Sequence, residues 1–168
     1  MSKVSIRKFS RRDGEAERKF LLLFPEKETG FERPGKGLDL ETQEGFAALI
    51  NERIDQENGI GLKEGYVPHS TFWILLDGQL AGIGNVRHHL NDSLRRRGGH
   101  IGMAIAPGLR GKNVGTEGLR LLVEYARLTG LGKILVTNNE DNWASRRISE
   151  KNGGTLEKVE NGTSFYWI

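Results

Sequence analysis

Cysteine is absent from these 168 residues, which excludes a disulfide framework and any thiol nucleophile. Long hydrophobic runs are absent too. No apolar stretch approaches the roughly 18 residues that a membrane span needs. The first residues lack the apolar centre of a signal peptide, so a cytoplasmic location is the expectation. Charge of one sign is not in large excess: 25 basic against 22 acidic residues leave +3, with a pI near 9.3. A nucleic-acid interface would show a basic stripe, and only Arg95-Arg96-Arg97 forms a run, which reads as a solvated loop. His88 and His89 are neighbours that would face opposite sides of a strand, and no cysteine or spaced carboxylate joins them. No metal site is therefore expected. Internal repeats and low-complexity tracts are missing as well. A chain of this length reads as one domain, residues 1–168, able to bury roughly 70% of its unfolded surface.

Glycine is plentiful, and its placement organises the rest. Ile101 to Ala106, with Met103, Ala104 and Ile105 at its centre, reads as a strand ending at Pro107. A tight loop through Arg110, Gly111, Lys112 and Asn113 follows, and Val114, Gly115 and Thr116 open a helix. Backbone N–H groups bared by such a loop bind anions, and the helix dipole adds about 0.3–2 kcal/mol. Arg110 and Lys112 bring positive charge to the same place. Glycines at 111 and 115 would let a phosphate approach the backbone closely. The loop is not a Walker loop, because Gly111 to Gly115 has the wrong spacing and no following lysine. It is not a dinucleotide fingerprint either, because Gly111-Lys112-Asn113 fails at the second glycine.

Taken in order, Val4 to Phe9 alternates as a first strand, and Asp13 is placed to cap a helix through Phe24, stopped by Pro25. Residues 26–38 are charged and glycine-bearing, with Pro34-Gly35 as a turn, and read as a mobile loop. Asp39 or Thr42 caps a second helix whose Phe46, Leu49, Ile50 and Ile54 share a face; Gly59 and Gly61 end it. Thr71–Leu76 and Gln79–Val86 flank Asp77-Gly78, a strong hairpin signal. A polar loop then leads to a strand over Gly98–Ala106. The third helix, Asn113–Thr129, buries Gly115, Gly118, Leu119, Leu122 and Ala126 and exposes Glu117, Arg120, Glu124 and Arg127. Ile134–Thr137 is an apolar strand, Asp141 or Asn142 caps a fourth helix to Asn152, and Asn161-Gly162 turns a terminal hairpin. The reading is thus α/β, about seven strands with four helices.

The loop resembles the acyl-coenzyme-A signature of the GNAT-type N-acetyltransferases, Gln/Arg-x-x-Gly-x-Gly/Ala. Arg110, Asn113 and Gly115 hold its three defined places, with Asn113 where glycine is usual. Asparagine is the non-glycine residue most at ease in the left-handed region. Asn138 to Ser145 resembles the second cofactor segment of that family, in which an asparagine and, three places later, a small or hydroxyl residue (Asn142 and Ser145 here) face the coenzyme. Glu150-Lys151-Asn152-Gly153-Gly154 resembles the closing Glu-Lys-x-Gly-Phe, with Gly154 replacing the aromatic. The element order matches throughout. The resemblance implies a mixed, mostly antiparallel twisted sheet, splayed between the fourth and fifth strands. It implies that acetyl-CoA lies in that split, its pantetheine arm on the main chain of Met103 and Ile105.

Acid–base residues are where the sequence departs from that family. Many relatives carry a tyrosine acid at the place held here by Ile148-Ser149, and several carry a carboxylate base at what are Gly98-Gly99. Ser149, His88 and His100 are the substitutes at hand, the imidazoles having pKa values in the working range. The reading is transfer of an acetyl group from acetyl-CoA directly to a primary amine of a small molecule, protein or peptide. A non-catalytic acyl-CoA-binding or regulatory module is the alternative. No readable code identifies the acceptor; Glu32, Asp39 and Glu41 are the loop carboxylates placed to attract a cationic amine. A homodimer paired through the edge of the last strand is a further expectation.

Overall fold

Two Asx-Gly turns build most of the sheet. At Asp77-Gly78 (φ 50° and 78°) and Asn161-Gly162 (φ 50° and 77°) both central residues are left-handed, which matches the twist of paired strands. The first turn joins β4 (His69–Leu76) to β5 (Gln79–Arg87). The second joins β8 (Thr155–Glu160) to β9 (Thr163–Trp167). The computed structural model describes residues 1–28 and 30–168. β1 (Val4–Lys8) lies outside β4, and β6 (Ile101–Ile105) lies beside β5, giving the order β1-β4-β5-β6. β7 (Leu135–Asn139) heads a second sheet of order β7-β9-β8. All of these pairings are antiparallel. The last strand is therefore central, held on both sides. The exposed edge belongs to β8, which corrects the expectation that the final strand would be free to pair.

Alternation along β4 divides the core in two. Phe72 and Ile74 face α4 (Val114–Leu128), whose Leu119, Leu122 and Ala126 are buried as their spacing predicts. Trp73 turns to the other face, where it meets α1 (Glu15–Leu21) and α2 (Gln43–Glu57) through Phe20, Phe46 and Leu49. A Cβ at Gly84 would stand 2.6 Å from a methyl of Leu122, so α4 sits as close to β5 as a side chain allows.

Several ends differ from the sequence reading. Asp13 caps nothing; its carboxylate takes Arg7 at 2.6 Å and the Trp73 indole N–H at 2.7 Å, and α1 begins after Gly14. Thr42, not Asp39, caps α2, accepting from Gly45 N–H at 3.0 Å. Asn142, not Asp141, caps α5 (Trp143–Lys151). The loop at 26–38 carries a small hairpin, β2 (Lys27–Glu28) with β3 (Phe31–Glu32), and the polar loop before β6 carries α3 (Asp92–Arg96), capped by Asn91. The described residues thus form nine strands and five α-helices. These additions are too short for periodicity to reveal.

β6 and β7 meet at one end and then part. Gly99 bridges Val136, His100 N–H donates to Leu135 O at 2.8 Å, and Leu135 N–H donates to His100 Nδ1 at 2.9 Å. Gly98 and Gly99 are left-handed, at φ 114° and 61°, which delays the start of β6 to Ile101. The split between the sheets opens beyond that point. Leu122→Ala would remove a fully buried side chain from the face that holds α4 to the sheet. It should cost about 2–5 kcal/mol, seen as a lower urea midpoint with an unchanged slope.

Candidate active site

The free edge of β6 forms one wall of the split. Ala106 N–H donates to Ala81 O at 2.9 Å, and antiparallel pairing bonds alternate residues to the partner strand. The main-chain groups of Met103 and Ile105 are thereby turned away from β5, toward the gap. Leu119 of α4 and Ile148, Ser145 and Ser149 of α5 complete a cavity of about 170 Å³, with Asn138 and Asn142 at its rim. Gly115 contributes differently from the sequence reading. A Cβ there would lie 2.8 Å from the Ile148 methyl, so this glycine lets α4 and α5 close on one another rather than clearing room for a phosphate.

At the end of β6 the chain makes a 3-10 turn, Pro107–Leu109, and then leaves its backbone donors unpaired. Asn113 adopts φ 61°, the left-handed conformation its side chain tolerates, and stands as the N-cap of α4. Glu117 N–H reaches Asn113 O at 3.2 Å, while the N–H groups of Gly111 through Thr116 find no acceptor among the described residues. Gly111 (φ 76°) has open space where a Cβ would stand. Lys112 makes no ion pair among the described residues. Arg110 is anchored by Nε donating to Ile105 O at 3.0 Å, and its two Nη atoms hold the Glu28 carboxylate at 2.8 and 2.7 Å. That guanidinium holds Glu28 below the usual carboxylate range, and the carboxylate raises Arg110 in return. A row of bare N–H groups beside two cations is a setting for a pyrophosphate.

The three acid–base candidates fall in different places. Ser149 is buried in the slot wall, donating to Ser145 O at 3.2 Å and accepting from Asn138 Nδ2 at 3.2 Å. His88 lines neither cavity; its Nε2 lies 2.9 Å from Ser70 Oγ, within a cluster that includes Glu57 and Tyr125. His100 is spent on Leu135 N–H at the root of the split. The structure therefore does not bring His88 or His100 to the slot. Burial pushes both imidazoles below their usual pKa.

A second cavity of about 440 Å³ opens on the other side of β6 and shares Arg87, Gly102 and Met103 with the first. Arg53, Tyr66 and His69 line it, none of which stood out in the sequence. His69 Nδ1 donates to Val67 O at 2.9 Å, which leaves Nε2 to accept from Arg53 Nη1 at 3.1 Å. Glu32 lines this cavity but pairs with Lys36 at 3.3 Å. Asp39 and Glu41 do not line it, Asp39 Oδ1 accepting from Glu41 N–H in a local turn.

The family model of the acetyltransferase (GNAT) domain matches residues 5–155. This chain belongs to the GNAT acetyltransferase family. Similar solved structures of the same fold include the acetyl transferase of Salmonella typhimurium that modifies the N-terminal serine of a 50S ribosomal subunit protein. It shares 17% identity over 98% of this chain and 94% of its own, with a TM-score of 0.65. The Campylobacter jejuni N-acetyltransferase PseH, in complex with acetyl coenzyme A, superposes at 0.64 with 12% identity over 99% and 98% of the two chains. The Microcin C7 self-immunity acetyltransferase MccE, in complex with acetyl-CoA and AMP, gives 0.64 with 16% identity over 98% and 91%. No curated protein sequence matches this one. No helix among the described residues is long and apolar enough to cross a membrane.

Two predictions follow from this GNAT site. Arg110→Ala should weaken coenzyme A binding about tenfold or more, while Glu28→Gln, which frees Arg110, should tighten it several-fold, both read by calorimetry. The second concerns pH. The buried His69 and His100 and the half-buried His88 have folded pKa values below the usual 6.5, so the unfolded chain takes up protons first as pH falls. Their contribution to stability is complete above about pH 6.5 and declines below it. The urea midpoint should drop between pH 7.5 and 5.5, and less steeply in His100→Gln.

Proposed function

We propose that this chain transfers an acetyl group from acetyl-CoA directly to a primary amine, acting in the cytoplasm. The observation that carries the reading is a strand edge facing a split and ending in six backbone N–H groups, Gly111 through Thr116, that have no acceptor among the described residues. These donors, with Arg110 and Lys112, would hold the pyrophosphate. Asn138, Asn142 and Ser145 would flank the arm, and the main chain of Met103 and Ile105 would pair with its amides. Bound there, acetyl-CoA supplies the thioester whose acetyl carbon the amine attacks.

The chain's own contribution is position and field. Strand β6 fixes the acetyl carbonyl where the second cavity opens, a placement effect that replaces a chance encounter. A β6 N–H turned to the split polarises that carbonyl as charge develops on it. In the reaction a nitrogen–carbon bond forms and a carbon–sulfur bond breaks. The acceptor ammonium gives up two protons, one going to the coenzyme thiolate and one to solvent. Arg87, at the junction of the two cavities, disfavours the protonated amine by like charge. Of the three acid–base candidates Ser149 is the one in the slot wall, where it can pass a proton toward the leaving sulfur. The acceptor is a small molecule on this reading, because the second cavity has the volume of a small-ligand site.

Incubation with acetyl-CoA and a broad amine panel should release free thiol with at least one amine, and the acetylated product should carry the added mass on nitrogen. Micromolar coenzyme binding without turnover of any amine would instead establish the non-catalytic acyl-CoA-binding module.

A further inference from the structure

The second cavity carries an excess of positive charge, and the excess is not evenly answered. Five cationic side chains line it, Arg33, Lys36, Arg53, Lys63 and Arg87, against two carboxylates, Glu32 and Glu52. Lys36 pairs with Glu32 at 3.3 Å, Lys63 with Glu52 at 3.7 Å, and Arg33 with Glu26 at 3.8 Å. Arg53 and Arg87 have no carboxylate partner among the described residues. Arg87 spends Nη1 on the carbonyls of Gly98 and Gly99, both at 3.0 Å, and its Nη2 faces the Gly102 end of β6. Arg53 spends Nη1 on His69, while its Nε is sealed from water and has no partner among the described residues. Thr71 Oγ1, on the same lining, is buried and equally unpartnered.

A guanidinium taken out of water without a counter-ion is costly, and an unpaired buried donor adds to the cost. Burial lowers the pKa of both arginines, and Arg53 lowers that of Arg87 further by repulsion. An anion in the cavity would answer the charge of both guanidinium groups, whose Nη atoms have no carboxylate partner among the described residues. Planar guanidinium forks suit carboxylate and phosphate oxygens.

Resting on the acetyl-transfer reading above, we propose that the acceptor is a small acidic amine, an amino acid or an aminoalkyl phosphate, whose anionic group docks between Arg53 and Arg87. Its amine then reaches Gly102 and Met103, where the two cavities join. The bonds made and broken are those of the transfer already described, and the anionic group takes no part in them. This assignment accounts for two features of the site at once: two cations with no carboxylate partner among the described residues at one end, and an open strand edge at the other. It also replaces the expectation of a cationic amine drawn by loop carboxylates, because Glu32 is already paired and the cavity repels a second positive charge.

Thiol release is measured with matched amines that differ in one group: amino acids against their amides, and phosphoethanolamine against ethanolamine. Binding of the corresponding N-acetylated compounds to the protein–coenzyme A complex is measured by calorimetry, which decides the question even where no amine turns over. Acidic members should exceed their neutral counterparts at least tenfold in kcat/KM or in affinity. The carboxylate and phosphate arms identify which anion is preferred. Arg53→Gln should abolish that preference and Arg53→Lys should restore part of it, with coenzyme A affinity unchanged in both as evidence of an intact fold. Equal or better use of neutral or cationic amines, or a preference that survives Arg53→Gln, would overturn the proposal while leaving acetyl transfer in place. Absence of turnover together with tight, Arg53-dependent binding of the acidic compounds would overturn the transfer reading and keep the anion site.

Discussion

The junction between β7 and the residues leading into β6 governs the molecule. A Cβ at residue 99 would stand 2.4 Å from Leu135 O, so only glycine permits the two sheets to touch there. The touch is reinforced reciprocally, His100 N–H to Leu135 O and Leu135 N–H to His100 Nδ1. Past it the strands diverge, because β7 is paired to β9 and β6 to β5, and neither partner strand pulls toward the gap. A continuous sheet would have paired the Met103 and Ile105 main chain with β7. The pivot instead leaves polar groups on an inner edge that a ligand with amides can satisfy.

The slot was legible because its parts are local in sequence. Arg110 to Thr116 is one loop and one helical turn, and the preference of asparagine for the left-handed region predicts the geometry found at Asn113. The long periodic helix α4 and both Asx-Gly hairpins were legible for the same reason: each is decided by residues within a turn or two of one another. Capping was read less well. Asp13 looked like a cap until Arg7 and Trp73, from two other strands, claimed its oxygens. A carboxylate with a long-range cation available follows the stronger partner, and nothing within four residues announces that.

The second cavity was illegible for the opposite reason. Arg53 comes from α2, His69 and Thr71 from β4, Arg87 from β5, and Arg33 and Lys36 from the loop after β3. Each taken alone reads as a surface charge or an ordinary strand residue. Their common feature, a deficit of carboxylates, exists only when these segments are packed together. His88 was the reverse case. A histidine near the working pKa range drew notice, yet one residue past β5 it enters the Ser70, Glu57 and Tyr125 cluster and never reaches the slot.

Glu28 and Gly30 tie the two halves of the site together. Gly30 lines both cavities, and Glu28, at the end of β2, occupies the Arg110 fork that a pyrophosphate would use. Two anions cannot share one bidentate guanidinium face, so coenzyme binding must either displace Glu28 or leave Arg110 out of the phosphate grip. Displacement moves β2, and with it the hairpin whose other strand runs into the Arg33–Lys36 rim of the second cavity. Were Glu28 displaced, the two-stranded ribbon, rather than the core, would link the phosphate loop to the rim of the second cavity.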